Sequence, residues 1–186
     1  MVKWHVHSER RIYESPWVNL ALTTVEPPGA EPFEHHVIRA PGPAAGCVIT
    51  RGLRNQQEVL LIFRHRFITD TWGWEIPAGG VDTGETPSNG AIREALEETG
   101  WRPTADPTPI IVFHPSNGLS DQTFHIFHCA GAEHVGDPTD LTEASRVEWR
   151  PVHDVVESIR AGDITDGLSL TALTSAITLG ILHVQS

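Results

Sequence analysis

Three glutamates, Glu94, Glu97 and Glu98, crowd together in the stretch GGVDTGETPSNGAIREALEETGW (79–101), with Arg93 among them and Glu85 just upstream. Clustered carboxylates offer hard oxygen donors, and such donors hold divalent cations like Mg2+ together with substrate phosphates. Without a partner the placement is costly. The stretch predicts a helix over 87–100, capped by Thr86, with Pro87 in its first turn and Gly100 at its end. The glutamates then lie in its second half. Facing the negative end of the helix dipole costs each a few tenths to about 1 kcal/mol. At about 100° per residue, Ile92, Ala95, Leu96 and Thr99 form the expected core face, and the glutamates form a stripe almost opposite. Glu94 repels both Glu97 and Glu98, its neighbours one turn on. Two readings are open: a solvated acidic face, or a cation site. The clustering without lysines, the unfavourable helix end and the glycine-rich turn before the helix favour the second. Arg93 neighbours Glu97 and can reach back to Glu85, tying loop to helix by a bidentate pair. The alternative is a surface ion pair worth little.

Residues 10–25 alternate as strands broken at Ser15-Pro16, and 33–40 reads as the return strand after the turn signal PPGAEP. Residues 1–41 therefore form a candidate N-terminal antiparallel β unit, with the main domain over 42–186. In that domain CVIT (47–50), EVLLIFRHRF (58–67) and TWGWEIP (71–77) read as strands, as do segments near 108–114, 122–130 and 146–150. A helix follows at about 152–161, and an apolar helix begins near 167. Strands and helices mix without strict alternation, and the natural architecture is an α/β sandwich with a mixed sheet.

The chain of 186 residues carries a formal net charge of −11. That excludes non-specific nucleic-acid binding, which needs surplus Lys and Arg, and makes an anionic substrate dependent on local cations or metal. Cys47 and Cys129 lie in apolar strand-like runs and are expected as buried free thiols. Residues 167–184 lack Asp, Glu, Lys and Arg but hold several Thr and Ser, so a packed helix is expected rather than a membrane span. MVKWHVHSERR has no apolar core, so no signal peptide is expected and the protein is expected in the cytoplasm. His125 and His128 are three apart on a strand and diverge, as do adjacent His35 and His36, which argues against zinc.

The stretch 79–101 resembles the Nudix box: Gly, five residues, Glu, seven residues, Arg-Glu, an aliphatic, one residue, Glu-Glu, one residue, Gly, an apolar residue. Gly79, Glu85, Arg93, Glu94, Ala95, Glu97, Glu98, Gly100 and Trp101 stand at those spacings, with Ala95 small and Trp101 large for their slots. The resemblance implies a Nudix-type α/β/α sandwich and Mg2+- or Mn2+-dependent hydrolysis of a nucleoside diphosphate linked to a group X. It implies that Glu94 and Glu98 are the main metal ligands and Glu97 a further ligand or water-orienting group. The carbonyl of Ala78 completes a coordination shell, and Glu85 and Arg93 hold the loop–helix geometry.

Residues 64–82 are similar to the ADP-ribose pyrophosphatases, with Arg66, Glu75, Pro77, Ala78 and Gly79 in register and Pro115 beyond the box. The glycine-and-aromatic segment usual after that proline is only partly reproduced, by Gly118 and Leu119. The resemblance makes Arg66, Glu75 and Pro115 candidate substrate contacts. Glu143, in DLTEASRVEWRP, becomes a candidate general base or extra metal ligand, against an exposed loop acid. Trp72, Trp74 and Phe67 can stack on a nucleobase or fill the core, the core being the better reading for Trp74. A homodimer built through the N-terminal unit is also implied. Alternatives are another nucleotide-sugar or nucleoside-triphosphate pyrophosphohydrolase, and a non-catalytic nucleotide sensor.

Overall fold

The computed structural model describes residues 2–139 and 145–184. The chain divides into two compact units, Met1–Pro43 with His114–Thr123, and Ala44–Phe113 with Phe124–Ser186. The first is an antiparallel sheet of three strands in sequence order: β1 (His5–Glu14), β2 (Asn19–Glu26) and β3 (Phe33–Arg39). Ser15 makes the first turn, its hydroxyl donating to the Val18 carbonyl and accepting from the Trp17 and Val18 N–H groups. The segment 114–123 joins β3 through backbone bonds from Ile38 N to Leu119 O and from Asp121 N to Ile38 O. The Asp121 carboxylate adds bonds to Ala40 N and Arg39.

The second unit is built on a seven-stranded mixed sheet. Its strands are β4 (Ala44–Arg51), β5 (Glu58–Arg66), β6 (Thr71–Glu75), β7 (Ala78–Gly80), β9 (Thr108–Phe113), β10 (Phe124–Ala130) and β12 (Arg146–Pro151). The order is β12-β5-β4-β10-β9, with β6 on β5 and β7 on β4, and only β10 and β4 run parallel. A small ribbon pairs β8 (Trp101–Pro103) with β11 (Ala132–His134). Strands β7, β8 and β11, three residues each, are too short to show a period and were not anticipated in the sequence.

Alternation along β4 sorts the core. Ala45, Cys47 and Ile49 face helix α1 (Pro87–Thr99), packing on Ala91 and Ala95 with Leu60, Phe127 and Cys129. Val48 faces the other side, where Leu61, Trp74 and Ile126 meet α2 (Val152–Ala161) and α3 (Gly167–Thr178). The result is the expected α/β/α sandwich with an N-terminal antiparallel sheet. Both cysteines are buried and free. Among the described residues no helix is long and apolar enough to cross a membrane. In α3 the hydroxyls of Thr171, Thr174 and Thr178 donate to carbonyls one turn back, so its polar groups are satisfied within the helix.

The end signals of α1 work as expected. Thr86 accepts from Asn89 N, and Gly100, at φ 72°, donates its N–H to the Leu96 carbonyl. A Cβ at Gly100 would stand 2.0 Å from the Gly136 carbonyl oxygen, so the ribbon can pack there only against glycine.

The helix is rotated from expectation. Its buried residues are Gly90, Ala91, Ala95, Glu98 and Thr99, while Ile92 and Leu96 are half-buried. Small alanines let α1 lie close to the sheet, and that approach carries Glu98 inward.

Candidate active site

Strand β7 and helix α1 bring the box residues together. Glu98 is 2% exposed, and its two oxygens are held separately. Oε1 accepts from Arg64 Nη1 and Oε2 from the backbone N–H of Ala78, each at 2.8 Å. Arg64, on β5, is itself 7% exposed. A buried carboxylate bound to a buried guanidinium is stable only with good hydrogen-bond geometry, which this pair has.

Glu94 lies against the backbone of β7. A Cβ on Gly79 would stand 2.3 Å from the Glu94 carboxyl carbon and 2.4–2.5 Å from its oxygens. Only glycine lets the carboxylate occupy that cradle. Glu97 is the most exposed of the three, its side chain 45% accessible.

Arg93 braces loop and helix. Its Nε and Nη2 grip the two oxygens of Glu85 at 3.2 and 3.0 Å, Nη1 reaches Glu94 at 2.8 Å and Glu97 at 3.0 Å, and Nη2 also donates to the Gly80 carbonyl at 2.7 Å. Glu85 Oε2 also accepts from Asp82 N. The hydrogen bonds Arg93 donates to Glu85, followed by those to Glu94 and Glu97, raise its pKa far above the ordinary value against the opposing effect of burial. Arg93 in turn holds the Glu85 carboxyl below the usual range. The crowding at the negative end of the helix is thus already offset by two guanidinium groups and one backbone N–H.

Carboxylate oxygens suit Mg2+ or Mn2+ rather than softer ions, and the Gly79 cradle holds the Glu94 carboxylate against β7. The chemistry fits a hard divalent ion. Among the described residues, however, no three His, Cys, Asp or Glu side chains form a ready-made cage. An incoming ion competes with Arg93 for Glu94 and Glu97, and with Arg64 for Glu98.

Arg66 and Glu75 form a bidentate pair across the β5–β6 hairpin, Nε to Oε1 at 2.9 Å and Nη2 to Oε2 at 2.5 Å, with Glu75 buried and Arg66 half-exposed. Arg64 and Arg66 share one face of β5, and Phe63 and His65 the other. Trp72 is 57% exposed and stacks on Phe63 at 5.5 Å and 20°, beside His65, which puts it on the face opposite the Arg64–Glu98 pair. Trp74 is core, and Phe67 is exposed. Pro115 is exposed and belongs to the first unit. Glu143 lies outside the described residues.

Sequence reasoning missed Arg64. The signal was present: Arg64 directly follows the apolar run VLLIF (59–63), in phase with Arg66 on the face opposite Phe63.

Comparison with known proteins adds to this geometry. The family model described as NUDIX domain matches residues 40–168. A CMP-5'-(N-acetyl-N-hydroxy-3-aminopropyl)phosphonate hydrolase of Streptomyces rubellomurinus is 38% identical over 183 residues, covering 98% of this chain and 82% of that protein. An ADP-sugar pyrophosphatase of Mus musculus is 30% identical, covering 97% and 88%. An ADP-ribose pyrophosphatase of Bacillus subtilis is 25% identical, covering 89% and 88%. A solved structure described as an ADP compounds hydrolase superposes with a TM-score of 0.81 over 96% of this chain and 95% of that one; at 15% identity it speaks to the fold alone.

Proposed function

The chain belongs to the Nudix family, and from that premise we propose that it hydrolyses the phosphoanhydride bond of a nucleoside diphosphate linked to a further moiety X, with ADP-ribose, giving AMP and ribose 5-phosphate, as the first substrate to test. The observation that carries this reading is the arrangement of Glu98, pinned between Arg64 and Ala78 N, beside Glu94 on the Gly79 cradle. Glu94, Glu98 and the Ala78 carbonyl hold a divalent ion, Mg2+ or Mn2+, with Glu97 as a further ligand or a group that orients water. When bound, such an ion neutralises diphosphate charge and makes water acidic enough to serve as nucleophile near neutral pH.

The chain's own residues do the rest. Arg93 and Glu85 fix loop against helix, so the carboxylates keep their spacing. Arg64 holds Glu98 oriented. Arg66, its orientation fixed by Glu75, offers its remaining N–H groups to the substrate. Glu143 is the proposed general base or an additional ligand.

A second reading has its own support. The relative at 38% identity is named for a CMP-linked phosphonate, so an anhydride between a nucleoside monophosphate and a phosphonate belongs in the same test. We also assign residues 1–41 to dimerisation, residues 42–186 to the hydrolase domain, and the protein to the cytoplasm. A chain that sediments as a monomer at micromolar concentration refutes the dimer.

The test is a panel of ADP-ribose, GDP-mannose, a CMP-phosphonate and ATP, with Mg2+ and with chelator, read by product analysis. Release of a nucleoside monophosphate that stops with chelator supports the hydrolase. Release of pyrophosphate from ATP alone moves the assignment to nucleoside triphosphates, and binding without turnover moves it to a sensor.

A further inference from the structure

The face of the β5–β6 hairpin that carries Arg66 and Glu75 opens onto a cavity of about 510 Å3 that the box residues do not line. Its other wall is the turn into α3. That turn is fixed: Trp74 N donates to the Asp163 carbonyl at 2.8 Å, and Ile76 N to Ser169 Oγ at 3.0 Å. Asp166 caps α3, its Oδ2 accepting from Ser169 N at 2.7 Å and from Ser169 Oγ at 2.8 Å. Its Oδ1 has no hydrogen-bond partner among the described residues. Thr69, Thr71, Thr165 and Ile68 line the cavity with it, the Thr69 and Thr71 hydroxyls bonding each other at 2.7 Å.

Charge decides what such a cavity takes. Arg66 is already matched by Glu75 in a bidentate pair. Asp166 is a second carboxylate against a single guanidinium, so the lining is net negative and repels an anion. An acceptor oxygen without a protein donor, set among hydroxyls that both donate and accept, matches the hydroxyl groups of a sugar or polyol. Arg66 joins the cavity to the carboxylate ridge: it stands two residues along β5 from Arg64, on the same face, and Arg64 bonds Glu98.

We propose that this cavity receives the moiety X, that Asp166 with Thr165 is its specificity determinant, and that X is therefore a hydroxyl-bearing group without negative charge. The assignment rests on the pyrophosphohydrolase reading above. Asp166 acts twice, by accepting from a hydroxyl of X and by disfavouring substrates whose terminal group is a phosphate. Selection by repulsion and by an unmatched polar group commonly exceeds what shape alone achieves.

The test compares kcat/KM for ADP-ribose and for ATP, with Mg2+, in wild type, Asp166→Asn and Thr165→Val. Asparagine caps a helix as well as aspartate, so the fold survives the first change, and an unchanged thermal midpoint checks it. Wild type is expected to favour ADP-ribose. Asp166→Asn is expected to lower the ADP-ribose to ATP ratio about tenfold or more, with the ADP-ribose loss mainly in KM and the ATP rate rising. Thr165→Val, nearly isosteric, is expected to weaken ADP-ribose only. If Asp166→Asn scales both substrates equally, Asp166 is only a helix cap and the proposal fails. An unmoved ratio in both variants also overturns it. If wild type cleaves neither nucleotide, the pyrophosphohydrolase reading fails and the cavity assignment with it; if wild type cleaves ADP-ribose and the ratio stays fixed, only the cavity assignment fails.

Discussion

Glu98 is where chemistry and stability meet in one side chain. Glu98→Gln is expected to lower turnover roughly 100-fold or more, the kinetic equivalent of several kcal/mol. It also costs stability. The amide oxygen can still accept from Ala78 N, but Arg64, 7% exposed, loses its charged acceptor, a loss of about 1–3 kcal/mol. A denaturant midpoint measured beside kcat reads both. A variant as stable and as active as wild type contradicts the assignment. Gly79→Ala tests the cradle: a methyl group 2.3 Å from the Glu94 carboxyl carbon must displace that carboxylate. Metal-dependent turnover is expected to fall at least about tenfold, read from the Mg2+ concentration dependence of the initial rate. At this scale the sequence was informative about which acids matter, because five fixed charges at set spacings are hard to reach by chance. Its signal for Arg64 was weak. A charged residue in a strand is ordinary, and only the folded structure shows that this one is buried against Glu98.

At the scale of elements, α1 depends on its brace. Arg93→Ala is expected to reduce stability by about 2 kcal/mol, as charged hydrogen bonds to Glu85, Glu94 and Glu97 are lost. It lowers the rate as well, because the loop no longer holds its place. Equal stability in urea denaturation excludes the bracing role. The elements also set the pH response. Burial pushes His128 on β10 below its ordinary pKa of 6.5. A base with a lowered pKa is protonated more readily in the unfolded chain, so its contribution is complete above about 6.5 and is lost as pH falls through that value. Glu85, held low by Arg93, contributes fully above its ordinary 4.5 and loses that contribution below it. The thermal midpoint is therefore expected to fall in two stages on acidification, and His128→Asn to flatten the upper one. An unchanged upper stage in that variant contradicts the role of His128.

Most of the long elements were legible. The caps of α1 and the apolar periods of β4, β5 and β10 are strong local signals. The rotation of α1 was not legible, because hydrophobicity ranks Ile92 and Leu96 above Ala91 and Glu98. Close packing on the sheet requires the small residue, and the site requires the buried acid.

For the whole molecule, net charge and topology frame what binds. A chain of formal charge −11 presents a polyanion with a repulsive field, and since Arg64, Arg66 and Arg93 are each paired with carboxylates, the proposed divalent ion is what offsets it locally. The segment His114–Thr123, which folds with the N-terminal strands, could not be read from local pattern, because its tie to β3 is made across about eighty residues of chain. The central claim is that the ridge from Arg93 to Gly100 holds the divalent ion on which hydrolysis depends. The most direct measurement is Mn2+ binding followed by electron paramagnetic resonance, with ADP present, in wild type and in Glu94→Gln/Glu98→Gln. Saturable uptake by wild type that disappears in the double variant, while its circular dichroism spectrum stays native, is the predicted result. Equal uptake by both folded proteins, or none by wild type, contradicts it.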